Sequence, residues 1–229
     1  MGLNISYEFS ITATVEQARA IVTALRDLAL DLSFAQVDEW VELQGEACHF
    51  DMEDLDDPYV FLKLRGIKPV EIAMNGMSWR SSTYLIAFDT LPGQGSETAA
   101  FGLATHSEIG ETNDWIWTGF CKTQYASNPQ YGGQENFLRC HLAIVKILDE
   151  AQKLGVCCEV DDEGNYWKTR NIATLMAALS AENIFMATTM GAIKDTIDPS
   201  SATLEAPILA YPNFEQLEAE GNQDLDRNL

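Results

Sequence analysis

Between Tyr59 and Ala126 the chain repeats one short pattern: a run of apolar and β-branched residues, closed by a turn signal. The runs fall at Tyr59–Arg65, Val70–Asn75, Trp79–Thr90, Thr98–His106 and Trp115–Ala126, with Gly66, Asn75-Gly76, Pro92-Gly93 and Gly110 between them. A parallel pair of strands needs a crossover of a dozen or more residues, usually a helix. No gap here holds one. The pattern therefore predicts an antiparallel meander.

Flanking segments add helices and further strands. From Leu3 to Thr12, apolar Leu3, Ile5, Tyr7, Phe9 and Ile11 alternate with polar residues, as a half-buried strand requires. Thr14 and Gln17 stand at capping-box spacing before an apolar stripe of Ala18, Ile21, Val22, Leu25, Leu28, Ala29 and Leu32. Val37, Trp40, Val41 and Leu43 suggest a second strand of imperfect period. Further on, Gln134–Leu154 reads as an amphipathic helix with Gly155 placed to end it. Val156–Val160 reads as a short strand, and Asn171–Leu179 and Asn183–Ile197 as two helices. The expected class is α+β: a mainly antiparallel sheet with helices packed on one face, or two β-α-β-like halves side by side.

After Ile197 the periodicity stops. Pro199, Pro207 and Pro212 interrupt the chain, and its last 32 residues hold seven acids and one basic residue, Arg227. The expected organisation is one globular unit over residues 1–197, with halves at 1–76 and 77–197, and an acidic extended tail over 198–229. The apolar run Pro207–Phe214 inside that tail reads as a docking segment, one form of which is a self-association arm that docks on a neighbouring subunit's groove.

Charge narrows the partners. Lys and Arg total 14 against 35 Asp and Glu, a formal net charge of −21. Such a field repels phosphate backbones and anionic membranes, so direct nucleic-acid and membrane binding are not expected. Basic proteins are. The N-terminal residues carry no signal-peptide pattern, and no uninterrupted apolar run approaches the roughly 18 residues of a membrane span. Five cysteines without framework spacing, two of them adjacent at Cys157 and Cys158, fit free thiols in a reducing compartment. A cytoplasmic location is expected.

The residues with chemical capacity cluster late in the chain. His141 shares the apolar stripe of its helix, where a histidine is either a hydrogen-bonded core residue or a base in a pocket. Cys121 lies mid-strand, a poor setting for a reactive thiolate. Lys122 and Gln124, the Gly132-Gly133 loop with Glu135, the turn carrying Asp161 and Glu163, and Tyr166 could converge with His141 in a cleft. Gly132-Gly133 opens a helix, whose free N–H groups can hold an anion, but the Lys-Ser/Thr of a phosphate loop is missing. Asp161–Gly164 and the nine acids between Asp38 and Asp57 lack the spacing of a calcium loop and read as solvated turns. No metal or cofactor is expected.

Two functional readings follow. The first is a protein-interaction or regulatory module for a basic partner, with self-association through the tail as a variant. The second is an enzyme or small-ligand binder with its pocket around His141, Lys122 and the Asp161–Glu163 turn.

Overall fold

A computed structural model describes residues 3–54, 56–72, 76–196 and 205–227. The expected α+β class is present. Strand β1 (Asn4–Ala13) leads through the Thr14 capping box into α1 (Val15–Asp31). Two short strands follow, β2 (Gln36–Val37) and β3 (Val41–Gln44), then α2 (Val60–Arg65) and the hairpin β4 (Lys68–Ile72) and β5 (Gly76–Arg80). Strands β6 (Tyr84–Leu91), β7 (Ala99–Thr105) and β8 (Asn113–Lys122) form the antiparallel meander. Helix α3 (Gly133–Lys153), β9 (Cys157–Asp162), a single turn α4 (Tyr166–Thr169), α5 (Ile172–Thr196) and α6 (Phe214–Arg227) complete the order.

The main sheet has seven strands, β2-β6-β7-β8-β1-β9, with β3 also paired to β6. Strand β1 lies between β8 and β9, antiparallel to both, so the two expected halves interleave in one sheet. Alternation puts Ile5, Tyr7 and Phe9 on the same face as Trp115, Trp117 and Cys121, and α1 and α3 cover that face with Ile21, Val22, Leu25, Ile144 and Leu148. These side chains are within a few per cent of full burial, and a fully buried aromatic or aliphatic contributes roughly 1.5–3 kcal/mol over its exposed state. Tyr7 and Trp117 keep their polar tips satisfied by sharing one acceptor, the Ala100 carbonyl, at 2.8 Å each. Opposite β7, Gly66 leaves no room for a side chain: a β-carbon there would stand 2.9 Å from Ala104 Cβ.

Several local expectations change. Tyr59–Arg65 is helical from Val60, not a strand. Asp57 starts the turn by accepting from Tyr59 N at 2.9 Å and pairing with Lys63 Nζ at 2.5 Å, and Leu, Lys and Arg sustain it. The run Trp79–Thr90 is two strands, broken at Ser81–Thr83. Strand β8 stops at Lys122, and Gln124–Ser127 form a 3₁₀ turn. The two helices expected after Asn171 are one, because Ser180, Ala181 and Glu182 do not break a helix. The expected strand end at residues 73–75, and residues 197–204 with Pro199, lie outside the described residues.

The C-terminal segment is not extended where it is described. Pro207–Ala210 makes a 3₁₀ turn, and α6 follows. Ile208, Tyr211 and Phe214 bury against Met186 and Ala187 of α5, so the docking run is satisfied by its own chain. Helix α5 remains unusual. It is long and apolar enough, on length and composition alone, to cross a membrane, yet only 28% of its most apolar window is buried.

Candidate functional site

The expected pocket divides into three places. The first is a buried polar line. His141, on the core face of α3, is fully buried, as is Thr123 just beyond the end of β8. Their Nδ1 and Oγ1 atoms stand 3.0 Å apart. On the other side of the ring, Nε2 lies 3.4 Å from Asp162 Oδ1, an ion-pair contact without the alignment of a good hydrogen bond. Asp162 is anchored twice more: Oδ1 accepts from Gly164 N at 2.8 Å, and Oδ2 from Trp167 N at 2.7 Å. Burial alone would raise the Asp162 carboxyl. The His141 contact and the two backbone donors outweigh it and hold the group below the ordinary carboxylate range. An ionised Asp162 offers only acceptors to the Nε2 edge of the ring, and the Thr123 hydroxyl, which can donate or accept, meets Nδ1 on the other side.

Hydroxyl, imidazole and carboxylate in line could activate an oxygen nucleophile. Here the hydroxyl is wholly enclosed, and none of the four cavities described below is lined by His141 or Thr123. The line instead joins β8, α3 and the β9 turn. Gly164 makes the fit feasible, since a β-carbon there would overlap Leu175 Cδ1 and stand 3.5 Å from His141 Cε1. Tyr166 meets the imidazole edge-on, with centroids 6.3 Å apart.

The second place is a buried amide network. Gln124, expected to line a cleft with Lys122, is fully buried, because the 3₁₀ turn after β8 swings it inward. Its Oε1 accepts from Leu3 N at 3.2 Å and its Nε2 donates to Asn183 Oδ1 at 3.0 Å. Asn183 donates to Ser127 Oγ at 3.2 Å, and Ser127 meets Tyr211 OH at 2.9 Å. This chain of bonds ties the sheet end to α5 and to the C-terminal segment. Beside it Gly133 lines a small polar cavity of about 160 Å³, with Asn183, Tyr211 and Asn213. Gly132 (φ 102°) and Gly133 (φ 64°) serve the turn: their N–H groups donate to Pro129 O at 3.3 Å and Asn128 O at 3.1 Å, so neither is held out for an anion. Glu135 is exposed in the first turn of α3, where its charge suits the helix N-terminus. Lys122 Nζ sits 4.9 Å over the Tyr125 ring.

The third place is the opposite face of the sheet. Strand parity sends Asp161 there, away from His141, into a cleft of about 400 Å³ with Ser6, Phe120 and Arg65. The Arg65 guanidinium stacks 4.1 Å above Phe120. A neighbouring cleft of about 600 Å³ runs on beneath Trp79 of the hairpin. Glu163 accepts from Asn4 N at 2.9 Å and fastens the turn to β1.

Asp162 and Thr123 were the residues sequence reasoning passed over. Val160 and Asp162 share a strand face, so extending the alternation of β9 by one step assigns Asp162 to the core. Cys121 is not paired with His141: its thiol donates to Glu97 O at 3.3 Å, and burial pushes it well above the usual range. Among the described residues no three His, Cys, Asp or Glu side chains gather to hold a metal ion.

A larger concave surface lies elsewhere. A groove of about 1060 Å³ runs along the outward face of α5, with Gly221 of α6 at its wall. Its floor is apolar, and Phe185 stands 46% exposed in it. Among the described residues nothing covers this face, and monomeric surfaces seldom leave a contiguous apolar face of this length bare. No protein family, curated protein or solved structure matches the chain significantly.

Proposed function

We propose that this protein is an interaction or regulatory module that engages a basic protein partner. One observation carries the reading: an exposed apolar groove along α5 sits on a chain of net charge −21. The helix beside it, α6, has five acids and one basic residue in its sequence. Apolar floor and acidic surroundings are the two ingredients of a protein-docking surface, the first for affinity and the second for steering and partner choice. The enzyme reading has less support, because its central histidine is fully enclosed, with Nδ1 3.0 Å from the Thr123 hydroxyl and Nε2 3.4 Å from Asp162.

The test is binding of purified basic proteins to the whole chain, with acidic proteins as controls. Screening shortens from about 30 Å at 0.01 M salt to about 8 Å at 0.15 M. Binding to basic proteins should therefore weaken by at least about tenfold over that range, as steered association does. No basic protein bound at the lower salt, or binding indifferent to salt, overturns the proposal.

A further inference from the structure

We infer that the α5–α6 groove takes an amphipathic helix of the partner, apolar along one face and flanked by Lys or Arg. This rests on the interaction reading and names the part of the partner that docks. The seam is periodic: Ala177, Ala181, Ile184, Thr188, Ala192 and Thr196 line it at steps of four, three, four, four and four residues, with Gly221 of α6 already against one side of Ile184 and Thr188. Those steps average about 3.8 residues, so the stripe drifts slowly round α5, and a second helix packs along such a ridge at a crossing angle through residues at i, i+3, i+4 and i+7. The seam spans 19 residue steps, about 28 Å at 1.5 Å per residue, or some five turns of a partner helix. Its residues are mostly small, so the two backbones can approach closely, while Phe185 supplies an aromatic anchor of the kind that dominates binding energy.

Charge selects among occupants. Between Asn171 and Thr196 the only charged residues are Glu182, Lys194 and Asp195, and Lys194 already lies 5.8 Å over the Phe214 ring. At the N-terminal end of α5, Arg170 is held by Asp149 in two hydrogen bonds, at 3.0 and 2.7 Å. The helix that walls the groove, α6, carries net negative charge in its sequence, with Glu215, Glu218 and Glu220 among its described residues. A second copy of this chain would bring its own −21 and another acidic α6 to the same place. An anionic lipid surface would be repelled in the same way. A helix with basic edges satisfies floor and wall together.

The experiment uses the whole chain and three labelled synthetic peptides of about twenty residues, matched to the seam length. The first is a Leu/Ala amphipathic helix with Lys flanks. The second has the same composition scrambled, and the third carries Glu in place of Lys. The protein variants are Ala181→Arg and Phe185→Ala, both at exposed positions, with circular dichroism confirming an unchanged fold. The first peptide should bind, and the other two at least about tenfold more weakly, with each variant weakening the first peptide by a similar factor. The inference is overturned if the scrambled peptide binds as well as the ordered one, if neither variant matters, or if no peptide binds. It is also overturned if the chain alone doubles its mass, or partitions onto neutral vesicles, in a manner that Ala181→Arg abolishes. Basic proteins that still bind the Ala181→Arg chain in a salt-dependent way leave the interaction reading standing and remove the groove as the site. No basic protein bound by the unaltered chain removes both.

Discussion

Gly221 of α6 faces Thr188 of α5 so closely that a β-carbon on the glycine would overlap the Thr188 hydroxyl and lie 3.0 Å from Ile184 Cγ2. The hydroxyl is not idle, since it donates to Ile184 O at 2.8 Å within its own helix. Alanine favours a helix interior over glycine by about 1 kcal/mol, so propensity alone predicts that Gly221→Ala stabilises. Contact predicts the reverse, because overpacking typically costs about 1–3 kcal/mol. We expect contact to win: Gly221→Ala loosens α6, hastens proteolysis near the C-terminus and lowers the melting temperature. Thr188→Ala removes the obstructing oxygen and should recover most of the loss when combined with it. A double-mutant cycle in urea checks this, and a stabilising Gly221→Ala single variant would refute it.

The amide network makes the C-terminal segment part of the fold. Tyr211 OH meets Ser127 Oγ at 2.9 Å and Gln124 O at 3.4 Å, and its hydroxyl is pushed up to about 12, chiefly by burial. Tyr211→Phe removes one hydroxyl and should cost about 1 kcal/mol. Asn183→Leu orphans Gln124 Nε2 and takes one of two partners from Ser127 Oγ, and should cost about 2–4 kcal/mol, since an orphaned buried polar group costs about 1–3 and a lost hydrogen bond about 1. Urea denaturation of the two variants should give that ranking; equal costs would mean that the network is not cooperative.

The parts of this fold legible in the sequence are those set by local period. Ile5, Tyr7 and Phe9 announce their face by alternation, and the α3 stripe announces His141 as a core residue. What the period could not show is which distant side chain meets which. Tyr211 finds Gln124 across 87 positions, and Leu3 finds it across 121. A polar residue that ends up in such a network looks like any surface Gln or Asn until the topology is known. Helix α5 hid its outward face for a different reason: a helix apolar on all sides has no stripe to read, so its continuity and its exposed groove were both illegible. Asp161 and Asp162 differ only by strand parity, which a carboxylate run read as one turn conceals.

Asp162 should give the protein an acid-labile component of stability. Its folded-state pKa is held below the unfolded value of about 3.9. In that range the unfolded chain binds more protons than the folded one, so stability rises with pH. The contribution is fully present above the unfolded pKa and is lost as pH falls through the folded one. Asp162→Asn should lower stability at neutral pH by about 2–4 kcal/mol, because it strips a buried partner from His141 and an acceptor from the turn. It should also flatten the stability profile below about pH 4. Urea midpoints across that range decide it; a variant as acid-sensitive as the parent would place the effect on other carboxylates.

The five cysteines should separate by reactivity in one experiment. Cys157 is exposed on β9, while its neighbour Cys158 faces inward, donates weakly to Leu148 O and Val156 O, and is pushed up to about 12, first by burial. Cys48, Cys121 and Cys140 are buried, and burial raises each of their thiols. The thiolate is the reactive form, so access and ionisation act in the same direction. A thiol reagent at neutral pH should modify one cysteine per chain rapidly and the remaining four only as the protein unfolds. Cys157→Ser should remove the fast phase entirely. If a second thiol reacts within that phase, the β9 edge opens in the native state, and mass mapping of the modified residue would show whether Cys158 is the one released.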